Sequence, residues 1–129
     1  ITDTWQLYGN LAYARGRDTL NNEDLPGIAP FNGLAGIRYE ELEGFWCFAE
    51  LKFAAEQNDT PPGVASSAEW ERVNLRAGYD FTAWNAEQTL YAGVDNVLDK
   101  GYSDYLTTSR GFVFNEPGRS FLFGYRARF

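Results

Sequence analysis

The chain has 129 residues, 44% hydrophobic and 17% aromatic, and its 18 Asp and Glu against 11 Lys and Arg leave a net charge of −7. At roughly 100–200 residues per domain this is one domain or a piece of one, and the acidic balance argues against nucleic acid, whose phosphates attract basic patches. No window approaches the roughly 18–20 uncharged apolar residues of a membrane-spanning helix. With no His and a single cysteine, Cys47, neither a transition-metal centre, a disulfide framework nor a His-based catalytic triad is expected.

The excess of 4 Trp, 8 Tyr and 10 Phe, with 13 Gly and no Met, suits half-buried strands better than helices. Ile1 to Trp5 lacks the basic start and apolar core of a signal peptide, so the N-terminus is expected to be mature or cut. Period-2 alternation then recurs in six stretches: Thr4–Arg15, Phe31–Glu40, Phe45–Glu56, Arg72–Trp84, Thr89–Tyr102 and Ser120–Phe129. Short connections (Glu41–Gly44 and Asn85–Gln88) alternate with long ones (Gly16–Pro30, Gln57–Glu71 and Ser103–Arg119). The long ones carry the turn formers Asn21-Asn22, Pro26-Gly27, Pro61-Pro62-Gly63 and Pro117-Gly118. An antiparallel meander with short turns at one end and long loops at the other is the layout of an outer-membrane barrel.

The more apolar parity of each stretch carries no charge, as in Phe45, Cys47, Ala49, Leu51 and Phe53 or Phe121, Phe123, Tyr125, Ala127 and Phe129. The opposite parity holds Arg38, Glu40, Glu50, Lys52, Glu56, Arg72, Arg76, Asp80, Asp95, Arg126 and Arg128. A soluble antiparallel sheet also has one apolar face, but charges at mid-strand do not fit the packed interior of a small barrel. A wide barrel inverts the rule, with lipid outside and water or a plug inside. Trp5, Tyr39, Trp84 and Tyr102, near strand ends, suit interfacial aromatic girdles.

Two motifs carry a family resemblance. Val94-Asp95-Asn96-Val97-Leu98-Asp99-Lys100-Gly101-Tyr102 resembles the penultimate-strand pattern of TonB-dependent outer-membrane receptors, with Val97 and Leu98 in place of Leu and Phe. Glu116-Pro117-Gly118-Arg119, leading into a strand with Phe121, Phe123, Tyr125 and a final Phe129, is similar to the end of the same receptors, where the last strand is the signal read by the barrel-assembly machinery. A weaker third match is Leu25-Pro26-Gly27-Ile28-Ala29-Pro30 followed by Gly36-Ile37-Arg38-Tyr39. Locally, Asn96 and Asp99 are expected to hydrogen-bond nearby backbone, Pro117-Gly118 to turn the chain, and Arg119 to sit at the rim within reach of a carboxylate such as Asp95.

The resemblance implies an all-β segment of about six transmembrane strands within a barrel of about 22. Six strands cannot close at lipid depth, because every unpaired backbone group there costs several kcal/mol. Residues 1–129 are thus expected to form the C-terminal part of a receptor barrel in the outer membrane of a Gram-negative bacterium. The plug domain and other strands would lie in a separate or missing chain. The implied function is import of a scarce nutrient, an iron–siderophore complex being the commonest family substrate, without covalent chemistry, catalytic residue or cofactor. Implied partners are membrane lipid and lipopolysaccharide, the rest of the receptor, a small-molecule ligand and, indirectly, the TonB complex.

Outer-loop residues able to contact that ligand are Trp70, Tyr105, Arg110 and Phe112, aromatics for stacking and a guanidinium for an anion. Asp18, Asn21, Asn22, Glu23 and Asp24 make an oxygen-rich loop without EF-hand spacing, expected to be solvated and not a Ca²⁺ site. Asn58-Asp59-Thr60 matches a glycosylation sequon, of little meaning in this compartment. The alternatives are a passive pore or adhesion barrel closed by association of copies, and a small soluble ligand-binding barrel, which would need about eight strands. An outer-membrane hydrolase lacks a histidine to build on.

Overall fold

A computed structural model describes residues 4–41, 44–110 and 115–129. Each alternating stretch becomes a strand: β1 (Trp5–Ala12), then a small hairpin of β2 (Arg17–Asp18) and β3 (Glu23–Asp24), then β4 (Asn32–Glu40), β5 (Phe45–Ala54), β6 (Trp70–Ala83), β7 (Ala86–Asp95) and β8 (Ser120–Arg128), with a single helical turn α1 (Tyr105–Thr108) before β8. The long strands form one antiparallel sheet in the order β1-β4-β5-β6-β7-β8. Among the described residues β1 and β8 each pair on one side only.

The register shows why alternation decides everything here. One row across the sheet reads Trp5, Tyr39, Cys47, Ala77, Ala92 and Phe123. The row one residue along reads Gln6, Arg38, Phe48, Arg76, Gly93 and Leu122 on the opposite face. The uncharged face is left uncovered: Leu7 is 64% exposed, Leu90 52%, Phe121 66% and Phe123 81%. The charged face is the more crowded, with Asn74 buried and Arg38, Lys52, Arg72 and Arg76 all half-buried. That inverts the soluble pattern and matches a wall with lipid on one side and a lumen on the other. The 10 residues of β5 extend for about 33 Å, which at a tilt of about 45° spans the apolar band of roughly 25 Å.

On the charged face, long side chains lie across glycines of the next strand. The Tyr8 ring covers Gly36, the Trp46 indole Gly78, the Tyr91 ring Gly124 and the Arg76 stem Gly93. Each pair is directly opposite in the ladder, so the missing Cβ makes room for the covering group. On the other face Trp5 and Tyr39 (4.8 Å), Tyr39 and Phe45 (6.3 Å) and Tyr79 and Phe81 (6.3 Å) form an aromatic band at the short-turn end.

Strand limits differ from the periodicity in two instructive places. The β6–β7 turn is only Trp84-Asn85, both at positive φ (54° and 58°), so Ala86–Gln88, expected as turn, already belong to the ladder. This is the two-residue turn whose twist suits a hairpin. The fifth stretch was expected to run to Tyr102 but ends at Asp95, because Asn96 (φ 52°) turns out of the strand and Asp99 (φ 55°) follows it. Asn and Asp tolerate that conformation where most residues do not.

Placing a charge on the outward face gives a direct check. Leu75→Arg, between Ala49 and Val94, is expected to cost about 2–4 kcal/mol in urea unfolding of the vesicle-embedded receptor. Gly78→Val, which displaces the Trp46 indole, is expected to cost about 1–3 kcal/mol in the same measurement.

Candidate functional site: the outer rim and inner wall

All three long connections leave the same end of the sheet, opposite the two short turns. The β7–β8 connection folds back on β6 there, and Asn96 organises it. At 1% exposure its backbone N–H donates to Asn74 Oδ1 (3.1 Å), its Nδ2 to Lys100 O (2.8 Å) and Pro117 O (3.4 Å), and its Oδ1 accepts from Lys100 N (3.0 Å). The Val97 N–H bonds Val73 O, and Lys100 forms an ion pair with Glu71. Asp99 Oδ1 accepts from Arg119 N (2.7 Å), while Arg119 Nε donates to Val97 O (2.9 Å). A Cβ at Gly118 would meet Asp99 Oδ1 at 2.7 Å, so a larger residue after Pro117 would push the Asp99 carboxylate off the Arg119 N–H.

The expected partnership of Arg119 with Asp95 is therefore corrected. Asp95 accepts on both carboxylate oxygens from Nη2 of Arg76 (2.9 and 3.0 Å), its diagonal neighbour on β6. The Arg119 side chain turns to the Val97 carbonyl, and Asp99 accepts from the Arg119 backbone N–H. The residues that carry the family resemblance thus act as a staple between two strands and their loop.

Tyr102 completes the staple. Its ring packs on Trp70 (4.6 Å between centroids), its hydroxyl accepts from Arg72 Nη1 (2.9 Å), and its carbonyl accepts from Glu116 N. Burial pushes its hydroxyl above the ordinary tyrosine value, with Arg72 pulling the other way, so it is neutral at physiological pH. Asp104 caps α1 by accepting from Leu106 N (2.9 Å), and Thr107 Oγ1 donates to Glu116 Oε1 (2.7 Å).

Of the four residues expected to face a ligand, Trp70 is half-buried against Tyr102 and Arg110 is exposed. Tyr105, at 2% exposure, is enclosed within the loop instead of facing the vestibule, because α1 turns its ring inward. Phe112 lies outside the described residues. Phe121, Phe123, Tyr125 and Phe129, expected from the resemblance to carry the assembly signal, all stand exposed on the outward face or beyond the last strand.

In the oxygen-rich first loop the Asp18 carboxylate is spent on its own turn. Asp18 accepts from Leu20 N (2.8 Å) and Asn21 Nδ2 (2.7 Å), and the Leu20 bond holds its carboxyl below the usual range. Among the described residues no three His, Cys, Asp or Glu groups come together to hold a metal.

Below the rim the charged face is a network. Glu50 takes Lys52 Nζ (3.2 Å), Tyr8 Oη (3.4 Å) and Asn74 Nδ2 (3.4 Å), so Asn74 links the wall to Asn96 and the loop. Arg38 pairs with Glu40 (2.9 Å) and lies 5.3 Å from the Trp46 ring centre, and Thr89 donates to Asp80 (2.6 Å). Sequence reasoning placed these groups on one face but missed Asn74 and Glu50 as connectors. Their signal, a polar residue in register on each of two neighbouring strands, exists only once the pairing is known.

The staple has a measurable value. Asn96→Ala leaves the Lys100 and Pro117 carbonyls without their donor and the Lys100 N–H without its acceptor, with an expected cost of about 1–3 kcal/mol. The loop at 96–119 should then be cleaved faster by protease added to intact cells, with the barrel core still resistant.

Residues 1–97 match the family model described as TonB dependent receptor-like, beta-barrel. Among solved structures the chain is similar to the Copper transporter OprC, with a TM-score of 0.80 and 28% sequence identity over 97% of this chain. It spans about a fifth of that protein, 20% of its length. The match reaches beyond the family model's limit at residue 97 and takes in the stapled loop and most of the last strand. An inverted two-faced meander, long loops at one end only and both comparisons agree: the chain belongs to the TonB-dependent receptor β-barrel family of the Gram-negative outer membrane.

Proposed function

We propose that residues 1–129 are the C-terminal wall and part of the outer vestibule of a TonB-dependent importer of a scarce nutrient, an iron–siderophore complex. The observation that carries this reading is the sheet itself, apolar and uncovered outward, ionised and crowded inward, with open edges for neighbouring barrel strands. A plug in the remainder of the receptor would occupy the lumen and answer to TonB. Trp70, Arg110 and Phe112 are the rim residues offered to the ligand.

OprC is by its name a copper transporter, but this part of the wall has little to offer a soft metal. It has no His and no Met, and its one cysteine, Cys47, stands on the lipid face. Aromatic faces and guanidiniums suit a large ligand that brings its own oxygen donors.

The test is growth of a strain lacking this receptor gene, complemented with the full-length gene, on a ferric siderophore as sole iron source. Growth is expected with TonB present and is expected to vanish without it. TonB-independent entry of small solutes would support the passive-pore reading and overturn this one. Growth restored only under copper limitation would reassign the ligand.

A further inference from the structure

The inner wall contains a cation, away from its open edges, that no carboxylate of the described residues neutralises; Arg126 and Arg128, likewise without an ion pair among the described residues, lie on the edge strand β8. Arg38, Lys52 and Arg76 each have a carboxylate within 2.9–3.2 Å. Arg72, on the same face of β6, has none among the described residues. Its neighbours are β5 on one side and the β7–β8 connection on the other, so an unseen lateral strand cannot supply the missing charge. Directly opposite it on β5 is Lys52, and like charges in facing positions destabilise a sheet. The Arg72 Nε is buried without a hydrogen-bond partner, while Nη1 is spent on the Tyr102 hydroxyl. Beside it the Trp70 and Tyr102 rings are in contact, with the guanidinium 5.9 Å from the Tyr102 centroid. All of this lies at the loop end of the strands, where a solute entering from outside first meets the wall. Local conflict without local compensation is the pattern of a site built for something else.

We infer that Lys52 and Arg72, flanked by Trp70 and Tyr102, form a subsite for an oxyanion: a carboxylate or phenolate carried by the imported ligand, or by the plug of the same receptor. This deepens the importer reading, and rests on it for the ligand source only. Two cations on adjacent strands can share one oxyanion, the guanidinium through its planar fork and the ammonium as a point charge. The aromatic pair presents a face for a ring attached to that anion. Glu50, already holding Lys52, Tyr8 and Asn74, keeps the ammonium directed inward.

The experiment uses the full-length receptor in detergent, with two iron(III) probes, the anionic tris complex of 2,3-dihydroxybenzoate and the neutral tris complex of acetohydroxamate, read by tryptophan fluorescence. A parallel arm follows proteolysis of the plug without probe. R72Q and K52Q are expected to weaken binding of the anionic complex at least tenfold and leave the neutral one unchanged. R72K should lose less, and R128Q, at the far end of the wall, nothing. Heat-modifiable gel migration reports that each variant is folded. Unchanged binding with a plug cleaved at least fivefold faster in R72Q and K52Q assigns the oxyanion to the plug and keeps the subsite. If both arms match wild type, or if both probes weaken equally, the subsite is overturned. Failure of the importer reading shows separately, as TonB-independent growth.

Discussion

Hydrocarbon offers no hydrogen bonds, and every feature of this chain follows from that. Backbone at lipid depth must pair within the protein, so the chain crosses as a ladder of strands. Side chains touching lipid must be uncharged, so every second residue is surrendered to the outside and charge is confined to the other parity. The exposed Leu7, Leu90 and Phe123 would be an aggregation hazard in water. Here they are the solvent contact.

The other parity has to do everything else. Ionised groups facing a lumen are less costly than in a core, but they still crowd, and the sheet handles this by pairing them along and across strands. Arg76 with Asp95 and Arg38 with Glu40 are such pairs. Tyr8, Trp46 and Tyr91 lie flat over glycines of the next strand, which keeps large rings on a crowded wall without forcing neighbouring strands apart. The chain of contacts from Glu50 through Asn74 to Asn96 joins this wall to the outer loop, so the rim is anchored to the barrel interior and not only to strand ends.

Recognition motifs and binding residues separate in this structure. Asn96, Asp99, Tyr102, Gly118 and Arg119 hold the last loop in place by satisfying one another and the backbone. They are a scaffold for the outer loop. The residues with unspent chemistry are elsewhere, chiefly Arg72 beside Lys52 on the inner face.

The sequence alone determined the strands, their order, which face meets lipid and the family, because a period of two and a charge-free parity survive any uncertainty in pairing. It also identified Asn96 and Asp99 as backbone-binding residues, since short polar side chains do that locally. It misplaced the end of β7, because a left-handed Asn looks in sequence like one more strand residue. It gave Arg119 the wrong partner and offered Tyr105 to the ligand, because both depend on how a long loop folds back. Only the tertiary structure decided these, and only it put Lys52 opposite Arg72. Residues 20 apart along the chain become neighbours through register, and register is set by the whole ladder and not by either strand.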